Sequence, residues 1–277
     1  MSTSAPAPPR VGVLLRDWRQ RRRLSQLDLS LEAEVSTRHL SFVETGRSTP
    51  SRELVLHLAE HLDVPLRERN TLLLAAGYAP TYRQTPLDAD DMAPVREAVE
   101  KILAGHDPYP AVVVDRQWNL VAANDALLMV LTDGVDPVLL APPANVLRAS
   151  LHPDGLAPRI VNFRQWTDHL LERLDRQIAA SGDPALVALR DELLPLPGVA
   201  GPREVADADA DPAARLFVPL VLRTGDGPPL RFFSTVATFG TALDITVAEL
   251  AIESFFPADE ATALALAAVR PRQADAG

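Results

Sequence analysis

The sequence predicts an α+β chain of two domains, an all-α head of five helices and a body built on an antiparallel sheet with helices on one side. Three observations lead there. The chain has 277 residues and is 47% hydrophobic, enough for two ordinary cores. The stretch 79–93 is rich in proline and aspartate (APTYRQTPLDADDMA) and reads as a linker. At about residue 110 the apolar period changes, and the strand-like runs PAVVV and WNLVA appear. The expected domains are residues 10–78 and 94–270, with the linker 79–93 between them.

The head is organised around Ser25 to Ser51. Val11, Leu14, Leu15 and Trp18 give a first helix from about Val11 to Arg23 an apolar face. Ser25 is an N-cap for a second helix opened by Gln26, whose apolar side Leu27, Leu31 and Ala33 should supply. Ser36 caps a third helix, Thr37 to Glu44. Leu40 and Val43 point inward there, and Thr37, Arg38, Ser41 and Phe42 are left on the other side. Gly46 stops it as a residue tolerant of the left-handed region. Ser51 caps a fourth helix from Arg52 to Asp63. A fifth runs from Leu66 to about Ala76. Residues 1–9, rich in Ser, Ala and Pro, read as disordered.

In the body, a helix from about Pro94 to Ala104 precedes two strands, Pro110 to Val114 and Trp118 to Ala122, joined at Asp115-Arg116. Asn124 caps a helix to about Leu131. A long amphipathic helix is expected from Pro158 to Gln177 and another from Pro184 to Leu193. The turn Gly225-Asp226-Gly227 joins strands Leu216–Arg223 and Leu230–Phe239 as a hairpin. Thr241 to Val247 and the residues after it, TALDITVAELAIESFFPAD, should give a further strand and a connection to the edge of the sheet.

Composition limits the chemistry. There is no cysteine, which excludes a disulfide scaffold, a Cys-ligated metal and a thiol nucleophile. No stretch reaches the ~18–20 apolar residues of a membrane span, so a cytoplasmic protein without membrane partners is expected. The net charge of −10 divides unevenly. Residues 1–80 hold 11 basic and 9 acidic residues, a net of +2, and the remainder 16 and 28, a net of −12. A mildly basic head on an acidic body fits one domain that contacts polyanions and one that does not. His57 and His61 have metal-ligand spacing on helix 4, but no third ligand is evident, and a solvated helix face is the better reading. His152, Asp154 and His169 could be assembled into a site, yet His152 to Gly155 reads better as a turn. No catalytic constellation or resident cofactor is expected, and the chain is not read as an enzyme.

SQLDLS followed by VSTRHLSFVETGRSTPS resembles the helix-turn-helix of phage-repressor type, the xenobiotic-response-element (XRE) family, and implies a lambda-repressor-like head. The run STRHLSFVETGR, with LHPDGLAPRIVNFRQW (151–166) and FFSTVATFGTALDITVAELAIESFFPAD (232–259), resembles the subfamily with an MmyB-type ligand-binding domain. The order of elements in the body resembles a PAS-like sensor. The resemblance implies that Gln26 contacts DNA backbone or a base and that Thr37, Arg38, Ser41 and Phe42 face the major groove. Ser36 and Arg47 are phosphate candidates. Arg19 and Glu44 take the positions of the family's buried ion pair. It also implies a ligand that is small and apolar or fatty-acid-like. Pocket candidates are Trp118, Leu127, Phe163, Trp166, Phe217, Phe232 and Phe239, with Asn124, His152, Arg159 and Asn162 to place a polar end. The expectation is a ligand-responsive transcription regulator, a homodimer on two operator half-sites. The alternative is a DNA-binding protein whose body is a ligand-free dimerisation or partner-docking module.

Overall fold

The computed structural model describes residues 10–201, 217–225 and 227–269. The disordered reading of 1–9, the first residue of the strand expected from Leu216, and Asp226 of the hairpin turn lie outside the described residues. The chain divides into two compact units. The first comprises Met1–Thr85, Ala179–Ser181 and Ala242–Ala248, and the second Pro86–Ile178, Gly182–Thr241 and Glu249–Gly277.

The first unit carries α1 (Val11–Arg21), α2 (Gln26–Glu32), α3 (Thr37–Glu44), α4 (Arg52–His61) and α5 (Leu66–Ala75). Their starts follow from the serines. Ser25, Ser36 and Ser51 each accept a backbone N–H of the first turn through the side chain. At α2 the Asp28 carboxylate reciprocates by accepting the Ser25 N–H, closing a capping box. Leu15, Leu29, Leu40, Val43, Val55, Leu58 and Leu62 are buried in one core. Gly46 leaves α3 with φ +73°, a conformation glycine adopts without a Cβ penalty.

One expectation for this unit fails. Leu27 and Leu31 are not the apolar side of α2; they are 56% and 69% exposed. A helix starting at Gln26 turns Leu29 and, one turn on, Ala33 to the core, and Leu27 lies about 200° away from Leu29. The stretch read as a linker opens bonded to α5. Asn70 Oδ1 accepts the backbone N–H groups of Thr81 and Tyr82, and Asn70 Nδ2 donates to the Tyr82 carbonyl.

The second unit is built on a five-stranded antiparallel sheet of β1 (Ala111–Val114), β2 (Leu120–Ala123), β3 (Leu220–Leu222), β4 (Leu230–Thr238) and β5 (Ala251–Pro257). The order is β2-β1-β5-β4-β3. Its helices are α6 (Ala93–Gly105), α7 (Asp125–Leu131), α8 (Pro137–Leu140), α9 (Val146–Leu151), α10 (Phe163–Ser181, whose last three residues fall in the first unit), α11 (Pro184–Leu193) and α13 (Glu260–Val269). The turn α12 (Ile245–Ala248) falls in the first unit.

The strand alternation sends side chains to two faces, and along β1 both are covered. Val112, Val114, Phe232 and Phe255 join Trp166, Leu170 and Leu174 of α10 and Leu186, Leu189 and Leu193 of α11 in the main core. Ala111, Val113 and Ile252 face the other way and pack with Val99 and Leu103 of α6. Helices on one side only is therefore corrected to helices on both sides: the run AVVV is apolar at every position, as a strand covered on two faces must be.

Two further elements differ from expectation. Thr241–Val247 is not a strand. Asp244 Oδ1 accepts the Thr246 N–H and turns the chain into α12, so the strand begins at Ala251. That strand, β5, is not a connection to the edge; it is the central strand, between β1 and β4. The long helix starts at Phe163, not Pro158, because Ile160 bridges Leu222 and the Val161 N–H donates to the Val221 carbonyl.

Candidate nucleic-acid interface and candidate ligand site

The helical unit presents α3 outward. Thr37, Arg38 and Arg47 are exposed, with Ser41 and Phe42 half-buried beside them. The guanidinium carbons of Arg38 and Arg47 lie 5.3 and 6.0 Å from the Phe42 ring centroid. Phe42 is thus flanked by two cations and holds them on one surface by cation–π attraction. The Phe42 carbonyl also accepts the Arg47 and Ser48 N–H groups, which fixes the loop carrying Arg47. Thr37 Oγ1 is 2.8 Å from Ser30 Oγ, so part of its hydrogen-bonding capacity lies inside the helix pair. Ser36 is exposed, and its hydroxyl oxygen accepts the His39 N–H.

Behind this surface is a buried, bidentate ion pair. Arg19 Nε and Nη2 donate to the two carboxylate oxygens of Glu44 at 2.7 and 2.9 Å. Gln26 Nε2 donates to the same carboxylate at 2.7 Å, and Arg19 Nη1 to the Leu24 carbonyl. The Glu44 hydrogen bond and charge raise the Arg19 pKa against the opposing effect of burial. The cluster ties α1 and α2 to the end of α3. Sequence reasoning missed Gly12, where a Cβ would sit 2.2 Å from the Val43 carbonyl oxygen. Only glycine lets α1 approach α3 so closely, and no local sequence signal marks that. His57 Nε2 lies 2.7 Å from the Ala33 carbonyl oxygen, which engages that ring nitrogen within the unit.

The pocket candidates of the second unit do not come together as one set. Trp118, Leu127, Trp166 and Phe232 share the main core, with Phe163 packed against it. Phe239 packs in the other core, on the opposite face of the sheet. Phe217 is 39% exposed and lies against Phe233, ring centroids 5.5 Å apart. Asn124 is buried: its oxygen accepts from Ala111 and Leu127, and its amide donates to the Tyr109 carbonyl and Asp107. Asn162 bonds β3, donating to the Pro219 carbonyl and accepting from Val221. These two asparagines position backbone and have little capacity left for a ligand. His152 accepts from the Asp154 N–H in a turn, and Arg159 Nη1 donates to the Asp133 carbonyl.

Sequence reasoning also missed a polar cluster inside the main core. Glu253 is buried on β5, opposite Val112 of β1 and Val236 of β4, so all three project from one face. Arg173 Nη1 of α10 donates to Glu253 Oε2 at 2.8 Å. The Arg173 guanidinium carbon sits 4.4 Å from the centroid of the Trp118 ring. Trp118 Nε1 donates to Gln177 Oε1, and Gln177 Nε2 donates to the Arg116 carbonyl. Trp118 has φ +66°, a conformation that costs a bulky side chain energy and persists only when its surroundings enforce it. His169 lies against Trp166 with ring centroids 5.4 Å apart. Burial pushes the His169 pKa down, with Glu253 opposing the shift and Arg173 adding to it. The signal available was the one charged residue in the strand AIESFFP.

Two family models match the chain. Residues 10–72 match the model of a helix-turn-helix domain. Residues 95–269 match the model of the MmyB-like transcription regulator ligand-binding domain. No curated protein matches the chain. Among the described residues no helix is long and apolar enough to cross a membrane.

Proposed function

The chain belongs to the family of MmyB-like transcription regulators, and from that premise we propose that it couples a small apolar ligand in the sheet unit to operator binding by the helical unit. At the coarser level it is a DNA-binding transcriptional regulator, with a helix-turn-helix domain followed by a ligand-binding domain. The observation that supports the DNA reading is the α3 surface, where Phe42 presents Arg38 and Arg47 together. Arg38 reads a base edge in the major groove, with Thr37, Ser41 and Phe42 beside it. Ser36 and Arg47 contact phosphate, and Gln26 contacts backbone or a base. Arg19 and Glu44 hold the helices in register. The regulator acts as a homodimer on paired half-sites. Its ligand shifts a population between two arrangements that differ in DNA affinity.

The test is mass spectrometry of small molecules extracted from freshly purified, denatured protein. A stoichiometric compound with an apolar chain, such as a fatty acid or fatty alcohol, is the expected result. Protein that carries nothing and takes up no apolar probe overturns the sensor reading and favours the ligand-free dimerisation module.

A further inference from the structure

Three buried side-chain polar atoms have no hydrogen-bond partner among the described residues: Trp166 Nε1, Thr167 Oγ1 and Glu253 Oε1. All belong to the second unit, the first two on α10 and the third on the strand that α10 faces through Arg173. Folded proteins rarely leave a buried carboxylate oxygen unpaired, because its desolvation is uncompensated. Glu253 is 5% exposed, so bulk solvent does not supply the missing bond. Its surroundings are held in place. Arg173 is fixed by Glu253 Oε2 and the Trp118 ring, and Trp118 by Gln177. The sheet is open next to it: Val236, the cross-strand partner of Glu253 on the same face, is 47% exposed, and Thr238, two residues on along β4 and on that face as well, is exposed too.

We propose that Glu253 Oε1 is the polar anchor of the ligand site, and that it selects an apolar molecule whose head group donates a hydrogen bond, a hydroxyl or an amine, against one ending in a carboxylate. The proposal rests on the reading of this unit as an apolar sensor and names its head-group chemistry. The unpartnered carboxylate atom only accepts. A hydroxyl or ammonium head supplies the proton it lacks. A carboxylate head would bring a second negative charge against Glu253, and Arg173 already neutralises the one that is there. Trp166 Nε1 and Thr167 Oγ1 lie on the helix that carries Arg173 and leave a donor and a hydroxyl on the same side of the sheet. The expectation of a fatty-acid-like ligand is kept for the apolar chain and changed for its end.

The test is calorimetric titration of the full chain at pH 8 with 1-decanol, decylamine and decanoate, each below its micellar concentration. At that pH decanoate is ionised, since carboxyl groups titrate near about pH 4. Decanol and decylamine should bind about tenfold or more tightly than decanoate. The paired change Arg173→Met with Glu253→Leu removes both charges together and should bring the three probes within about threefold of one another. Wild-type protein that binds decanoate as tightly as decanol overturns the head-group inference alone. So does a preference that survives unchanged in the double variant, as it would if a trapped water satisfies Glu253. Failure of all three probes to bind overturns the sensor reading and this inference with it.

Discussion

Glu44 in the helical unit and Glu253 in the sheet unit are both buried glutamates paired with an arginine, and they are completed differently. Glu44 accepts from Arg19 at both oxygens and from Gln26 as well. Glu253 accepts from Arg173 at one oxygen, and the other has no partner among the described residues. A closed pair of this kind holds elements together. A pair left open at one atom keeps binding capacity in reserve, on a scaffold that includes a tryptophan in a costly conformation. The lesson is that burial of a charge does not by itself distinguish a clamp from a site; the completeness of its hydrogen bonds does.

The largest expected effect would break the closed pair. Glu44→Ala leaves Arg19 buried and uncompensated and should cost the helical unit about 3–5 kcal/mol. Hydrogen exchange at the amides of α1 and α3 would register it, and near wild-type protection would contradict the clamp. At the open pair, Glu253→Ala should cost about 1–3 kcal/mol, because one oxygen is unpaired already and the Arg173 side chain, 20% exposed, can turn toward water. Replacing Arg173 by Met together with Glu253 by Leu should leave the melting temperature close to wild type, since a well-packed apolar pair substitutes for a buried ionic one at little cost. A collapse of stability in that variant would make the second pair as structural as the first.

On the DNA side, Arg38→Ala should lose about 1–3 kcal/mol of discrimination between operator variants. Arg47→Ala should weaken binding evenly across sequences and lower the salt slope by about one. An operator library read at two salt concentrations separates the two outcomes. The smallest effect belongs to the α2 cap. The hydroxyl and N–H of Ser25 hold the Asp28 carboxyl below its ordinary pKa. Its contribution is therefore present above the ordinary carboxylate range and lost as pH falls from that range through the lowered folded value. Asp28→Asn should abolish that part of the acid dependence, seen as a slight flattening of melting temperature against pH below neutrality.

The helical unit was largely legible in the sequence because its signals are local. Ser25, Ser36 and Ser51 mark three helix starts, and Leu40 and Val43 mark the inner face of α3. What escaped there depends on approach between helices: Gly12 under the α3 carbonyls, and the outward turn of Leu27 and Leu31. The sheet unit was less legible. Strand pairing is non-local, so nothing near Thr241–Val247 announced that the strand would start at Ala251 and lie in the centre. Phe239 and Trp166 look alike in sequence as large apolar residues, yet they lie in different cores, on opposite faces of the sheet. Glu253 was passed over because a single glutamate in an apolar strand carries no motif.

Operator affinity shows most directly whether the site in the sheet unit governs DNA binding by the helical unit. The full chain would be titrated by fluorescence anisotropy onto an operator duplex selected with the wild-type protein, with and without saturating 1-decanol. Operator affinity should change by about fivefold or more when the alcohol is bound. Equal affinities with and without the bound alcohol would contradict it.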